Sequence, residues 1–110
     1  MSEPSPFEVF ITSAAAAAST VTVCGEIDLA AVPTLTASLE AAGLEQIPLD
    51  LDLSGITFID SSGLHAIVQA HQRQQRAGLA LTLRSPSPAV RRAIEMVALG
   101  DTLHIDEQRD

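Results

Sequence analysis

The strongest constraint on the fold is a change of hydrophobic period within residues 49–68, LDLDLSGITFIDSSGLHAIV. In the first half, leucines alternate with aspartates, which is typical of a strand with one buried face. In the second half, apolar residues recur at helical spacing, which indicates an amphipathic helix. The two patterns meet at residues 60–63, so we expect a strand to pass directly into a helix there.

Strand and helix patterns alternate along the rest of the chain. Segments rich in β-branched and aromatic residues predict two early strands joined as a hairpin across an alanine-rich connection. Pro33 in a first turn and Gly43 as a terminator frame the first helix, and Gly78 ends the second. The predicted elements are strands at 7–12 and 20–27, a helix at 31–42, the strand entering the junction, a helix at 62–76, a strand within 79–85, a helix from Pro88 with Ser87 as N-cap and Val90, Ile94 and Val97 as its apolar stripe, and an edge strand at 103–105.

This order predicts a single α/β domain with an N-terminal hairpin and later strands that are mostly parallel. A chain of 110 residues that is 46% hydrophobic has the length for one compact core and is too short for two. We expect residues 1–6 and 107–110 to be flexible, and the protein to be a monomer.

The charge balance argues against several classes of partner. The formal net charge is -8, and the six basic residues are all arginines, with no basic cluster. A chain of this kind is not expected to bind nucleic acid or an anionic membrane surface. No apolar run approaches the length of a membrane span, and no secretory signal begins the chain. We therefore expect a cytoplasmic protein, with Cys24 as a buried apolar residue without a redox role.

The junction offers more polar side chains than a helix start requires. Asp60 or Ser61 could accept hydrogen bonds from the first-turn amides, and Gly63 could simply permit a tight turn. One cap needs only one such side chain, however, so at least one hydroxyl of Ser61 and Ser62 remains available. That surplus hydroxyl is the leading candidate for a functional group.

A catalytic role for Ser61 has little support in the sequence. Hydrolases commonly hold the nucleophile in a Gly-x-Ser-x-Gly turn, and ITFIDSSGL does not match that motif. His65 lies one turn along the same predicted helix, but neither it nor His71 or His104 shows triad or metal-ligand spacing. We expect these histidines to be surface or half-buried helix residues, and Asp50 to be solvated like its neighbour Asp52. No catalytic residue, metal site or cofactor is predicted.

Phosphorylation is the second possible use of the hydroxyl. A serine at a helix N-terminus is accessible to a kinase, and a phosphate there adds about -1.5 to -2 charges near the positive end of the helix dipole. Such a change leaves the fold intact while altering the surface that a partner meets. Ser61 therefore has the properties required of a switch.

Three sequence blocks resemble the STAS domain family, and more narrowly the bacterial anti-sigma factor antagonists. They are GEID at 25–28, LDLSGITFIDSSGL at 51–64 and SPAVRRAIEMVAL at 87–99, in the order found in the family. The resemblance implies a central mixed sheet of about four to five strands with helices mainly on one side. It also implies an interaction protein, because the unphosphorylated antagonist binds an anti-sigma factor that is a serine kinase of the GHKL ATPase type and so releases the sigma factor. Phosphorylation ends that binding, and a serine phosphatase restores it.

Carried over by motif, the resemblance makes Ser61 the phosphoacceptor and places Asp28 beside it on the partner surface. The residues it implies for partner binding are Asp28, Asp60, Ser61, Ser62, Gly63, Leu64 and His65.

The chain departs from the family pattern in its alanine-rich hairpin, at Asp50 and at His65, and of these His65 is close enough to Ser61 to influence partner choice.

A STAS module in another signalling scaffold or a transport-associated system remains an alternative function. A small hydrolase that uses Ser61 is a second alternative, from a different class of protein.

Overall fold

A computed structural model describes residues 7–13, 19–96 and 104–106. These residues form one sheet, three α-helices and a short 3-10 helix, Leu29–Ala31. The predicted α/β class is confirmed. The strands are β1 (Phe7–Ser13), β2 (Ser19–Ile27), β3 (Leu49–Ile59), β4 (Leu81–Arg84) and β5 (His104–Asp106), and the helices are α1 (Val32–Gly43), α2 (Ser61–Arg76) and α3 (Pro88–Met96).

The strands lie in the sheet in the order in which they occur in the chain, from β1 to β5. Strands β2, β3 and β4 form a parallel centre, with β1 antiparallel to β2 at one edge and the short β5 parallel to β4 at the other. This arrangement confirms the hairpin and the parallel later strands. Because parallel strands end at the same edge, the turns after β2 and β3 meet there.

One face of the sheet is buried and the other is partly exposed. Leu51 on β3 and Leu83 on β4 are fully buried, whereas Asp50 and Thr82 on the opposite face are half-buried. The helices contribute their apolar stripes to the same core as the leucines, which places them against that face. The largest fully buried side chains are Ile27, Leu35, Leu39, Leu49, Leu51, Leu53, Ile67, Leu81, Leu83, Val21, Val23 and Val90.

Strand β3 is irregular in its second half. Its register against β2 shifts twice, between Thr22 and Cys24 and again between Gly25 and Glu26. The alternation of buried and exposed residues accordingly stops after Leu53, and Ile56 is the next buried residue. Bulges bend a strand and redirect its side chains, so they change the direction in which β3 approaches its carboxyl end.

The first bulge also determines the surroundings of Cys24. A Cβ on Gly55 would lie 2.8 Å from the Cys24 sulfur, so the glycine leaves room for the thiol. Cys24 is half-buried, and the prediction that it is a buried core residue was wrong. It lies on the face of β2 opposite to the buried Val21 and Val23.

The helix boundaries agree with the predicted ones to within a residue. The N-terminal cap of α3 is as predicted, since the Ser87 hydroxyl accepts a hydrogen bond from the Val90 N–H at 3.3 Å. After α1, the left-handed residue is Gln46, with φ of 56°, rather than the predicted terminator Gly43. Gly78 does end α2 in the left-handed conformation, with φ of 76°.

Several predictions fall on residues outside the described ranges. These are the flexible ends at 1–6 and 107–110, the centre of the alanine-rich connection, and Val97 of the apolar stripe of α3.

Candidate functional site

Two aspartates lie side by side at the carboxyl edge of the sheet. Ile27 and Ile59 are paired neighbours at the ends of β2 and β3, and Asp28 and Asp60 directly follow them. The backbone N–H of Asp60 donates to the carbonyl oxygen of Ile27 at 3.1 Å, which ties the two turns together. Helix α2 begins at Ser61, so the sheet edge and the helix N-terminus form one surface.

Asp60 caps helix α2. Its Oδ1 accepts hydrogen bonds from the backbone N–H of Gly63 at 3.0 Å and from the hydroxyl of Ser62 at 2.6 Å. The Ser62 hydroxyl, and then the Gly63 amide, hold the pKa of Asp60 below its ordinary value of 3.8, and partial burial opposes them. The sequence offered Asp60 and Ser61 as candidate N-caps of this helix, and Asp60 is the residue that caps it.

Ser61 is left with a free hydroxyl. It is the first residue of α2, its side chain is exposed, and that side chain forms no hydrogen bond with the described residues. Ser62 is half-buried, and its hydroxyl is engaged with Asp60. The surplus hydroxyl expected from the sequence therefore exists, and it belongs to Ser61.

Gly63 allows α2 to approach the sheet closely. A Cβ at this position would lie 2.7 Å from Cγ2 of Ile27 and 3.0 Å from Cγ1 of Ile59. Gly63 is helical and is not in the left-handed region, so the interpretation that it permits a tight turn was wrong. The glycine is required because the strand ends lie directly against it.

We predict that Gly63→Ala destabilises the protein by about 1–3 kcal/mol, because the added methyl group overpacks a site without free space. Gly43→Ala is the matched control: the nearest atom to its Cβ would be Oε1 of Gln74 at 3.7 Å, an ordinary contact. Urea unfolding of both variants measures the difference. Equal free energies of unfolding for the two variants would contradict the packing argument.

Asp28 and Leu29 extend the exposed surface on the β2 side. Asp28 is exposed, and its Oδ1 accepts the Ala30 N–H at 3.0 Å, which caps the 3-10 helix. Leu29 is 72% exposed, and Phe58, near the end of β3, is 50% exposed. Neither Leu29 nor Phe58 was predicted from the sequence to be a site residue. Leu29 lies outside the apolar repeat of α1, which is the only signal that its side chain is not part of the core.

The remaining predicted site residues separate into exposed and buried positions. His65 is exposed, one turn beyond Ser61 on α2. Leu64 is 2% exposed and packs in the core, and Gly63 is also buried, so neither is carried into the partner surface proposed below. His71 is 4% exposed, so the expectation of a surface or half-buried position was wrong. His104 is in strand β5 and not in a helix.

The paired acids of β3 have structural partners. Asp50 forms an ion pair with Arg84 on the neighbouring strand, with 3.4 Å between Oδ2 and Nη2. Asp52 accepts a hydrogen bond from the Ser54 hydroxyl at 2.8 Å. Within residues 7–13, 19–96 and 104–106, no group of His, Cys, Asp and Glu side chains is arranged to hold a metal ion. No helix in the same ranges has the length and apolar character required to cross a membrane.

The depressed pKa of Asp60 predicts a specific loss of stability in acid. The stabilisation it provides is complete above its ordinary pKa of 3.8 and is lost as the pH falls through the lower pKa of the folded state. Asp60→Ala should cost about 0.5–2 kcal/mol at neutral pH, the usual effect of removing a cap. Asp60→Asn keeps the cap acceptor but does not titrate, so its unfolding free energy should depend less on pH below 4. Parallel acid dependence in the wild type and Asp60→Asn would contradict this assignment.

A family model described as the STAS domain matches residues 12–110. The chain belongs to the STAS domain family. The resemblance identified from the three sequence blocks is thereby confirmed. None of the curated proteins compared with the chain by sequence is significantly similar to it.

Solved structures of anti-sigma factor antagonists share this fold. An anti-sigma factor antagonist from Mycobacterium paratuberculosis is 27% identical, with a TM-score of 0.80 over 98% of this chain and 92% of that chain. The anti-sigma factor antagonist SpoIIAA in its unphosphorylated form is 20% identical, with a TM-score of 0.75 over 90% of this chain and 88% of that chain. The phosphorylated form of the Bacillus protein SpoIIAA is 19% identical, with a TM-score of 0.71 over 90% of this chain and 91% of that chain.

Proposed function

We propose that this STAS domain is a cytoplasmic anti-sigma factor antagonist switched by phosphorylation of Ser61. In its unphosphorylated form it binds an anti-sigma factor that is a serine kinase of the GHKL ATPase type, and the sigma factor is released. The kinase transfers the γ-phosphoryl group of ATP to the Ser61 hydroxyl, which loses its proton, and ADP leaves. A serine phosphatase later hydrolyses the phosphate ester.

The observation that carries this proposal is the division of roles among the three polar residues at the start of α2. Asp60 caps the helix, Ser62 donates to Asp60, and Ser61 is exposed with no hydrogen bond to the described residues. Because the cap does not use Ser61, phosphorylation of that hydroxyl leaves the hydrogen bonds of Asp60 in place. The fold should therefore tolerate the modification.

The surroundings of Ser61 supply a surface that a partner could cover. We call Asp28, Leu29, Ser61 and His65 the switch edge; all four are exposed, and they follow or flank the carboxyl ends of β2 and β3. Exposed apolar residues beside charged ones are characteristic of protein-binding surfaces. A partner with an apolar pocket for Leu29 would complement this surface.

A phosphate on Ser61 would alter this surface by charge alone. It adds about -1.5 to -2 charges at the edge that carries Asp28 and Asp60, where a partner surface matched to the unmodified edge has no compensating group. Backbone N–H groups in the first turn of α2 can donate hydrogen bonds to the phosphate within the domain. The modification therefore weakens binding without unfolding the protein.

Affinity capture from the native cytoplasm tests the proposal. We expect the wild-type bait to retain a GHKL-type ATPase, identified by mass spectrometry, and a Ser61→Asp bait to retain little of it. Gln72→Glu, at an exposed position on α2, is a control for added charge and should retain the ATPase as the wild type does. Capture of a transporter or a signalling scaffold with no such ATPase would favour a STAS module of another system.

A further inference from the structure

A cleft of about 670 Å³ lies between the C-terminal halves of α1 and α2. Its size falls within the range of about 300–1,000 Å³ that is usual for small-molecule sites. The wall is largely apolar because short side chains from both helices leave the space open, among them Ala37 and Ala41 of α1 and Ala70 of α2. Leu44, which is 81% exposed, forms part of the rim. Ser61 is at the opposite end of α2, a helix about 24 Å long, so the cleft is separate from the switch edge.

Gln74 places a hydrogen-bond acceptor in this cleft. The residue is 4% exposed, and its Nε2 donates to the carbonyl oxygens of Ile47 at 3.1 Å and Ala80 at 3.4 Å. These two bonds fix the orientation of the amide, so the Oε1 is on the side of Gly43, 3.7 Å from the position a Cβ there would take. Oε1 accepts no hydrogen bond from the described residues. An acceptor on the wall of the cleft can receive a hydrogen bond from a ligand that carries a donor.

The mouth of the cleft carries positive charge. Arg73 lines it together with Glu40, and the same two residues line a smaller adjoining cavity of about 310 Å³, to which Arg76 also contributes. Among the described residues, neither arginine has an ion-pair partner within 4.0 Å. The ion pair found among these residues joins Arg84 on β4 to Asp50 on β3. Two arginines facing one acid leave the mouth with a net attraction for an anion.

We propose that this cleft binds a medium-chain hydroxy-carboxylic acid. The acyl chain occupies the apolar space between the helices, the hydroxyl donates to Oε1 of Gln74, and the carboxylate lies at the mouth near Arg73 and Arg76. The inference does not depend on the phosphorylation switch, since it uses a different end of the domain.

Titration calorimetry with 3-hydroxydecanoate, below its micelle concentration, tests this assignment on the whole protein. We expect saturable binding that is about tenfold weaker for decanoate, which lacks the hydroxyl, and at least as much weaker for the methyl ester, which lacks the charge. Amide chemical shifts should change at Gly43 and Ala77 and remain unchanged at Ser61.

Substitutions in the cleft distinguish a specific binding site from non-specific adsorption to an apolar surface. Gly43→Leu should fill the cleft and abolish binding while the domain stays folded, because Gly43 is not in the left-handed region and a Cβ has space there. Arg73→Gln should weaken binding about tenfold, whereas Arg92→Gln, the same change on an exposed position of α3, should not. No binding to the wild type at millimolar ligand, or equal binding to folded Gly43→Leu, would overturn the proposal and leave a groove filled by solvent.

Discussion

Ser61→Asp should weaken binding of the anti-sigma partner by about 30- to several-thousand-fold while the domain remains folded. An unpaired charge enclosed in an interface costs on the order of 2–5 kcal/mol, which corresponds to that range. Folding should be unaffected, because Ser61 is exposed and the cap of α2 is formed by Asp60. A carboxylate at the first position of a helix is also compatible with the helix dipole.

Calorimetric titration and thermal unfolding of the same preparation separate the two effects. Ser61→Ala is the matched control: it should bind like the wild type and resist phosphorylation. Full-strength binding by Ser61→Asp would show that charge at this position does not control the interaction. A large drop in its melting temperature would instead assign Ser61 a structural role.

Leu29→Ala should weaken the same interaction by about 30-fold or more. Large apolar side chains enclosed at the centre of an interface are often hot spots that cost at least about 2 kcal/mol on truncation. Leu29 is 72% exposed in the free domain and lies between the Asp28 cap and the start of α1. Its truncation therefore removes partner contact without opening a cavity in the core.

Leu44→Ala is the control for this prediction. Leu44 is 81% exposed and lies just after α1, at the end of the helix remote from the switch edge. The two variants remove the same side-chain atoms from similarly exposed positions, so any difference in partner affinity reflects location. Equal affinities for Leu29→Ala and Leu44→Ala would place the interface elsewhere on the domain.

The sequence predicted those features of the fold that depend on local patterns. The change from alternating leucines in β3 to helical spacing in α2 located the junction at residues 60–63, and the chemistry of helix caps indicated that one hydroxyl would be spare. Both signals lie within a few residues of the feature they predict. The structure accordingly agrees with the predicted N-terminal hairpin, the parallel later strands and the helix boundaries.

Features that depend on contacts between distant segments were missed or misassigned. Position 63 must be a glycine because Ile27, which is remote in sequence, lies directly against it. The sequence does not show that contact, so a tight turn is the simpler explanation for the glycine when only the sequence is read. The burial of His71 depends on how deeply α2 packs onto the sheet, which periodicity does not specify. The cleft beside Gln74 exists only because two helices with short side chains come together.

The most direct test of the phosphorylation switch is the site of the phosphate. After incubation of the protein with its kinase partner and ATP, tandem mass spectrometry of the peptide containing residues 60–65 should find one phosphate, on Ser61. The Ser62→Ala variant should be phosphorylated to the same extent, and Ser61→Ala should not be phosphorylated. Phosphate on Ser62 with Ser61 unmodified, or no phosphate on either residue, would contradict the account.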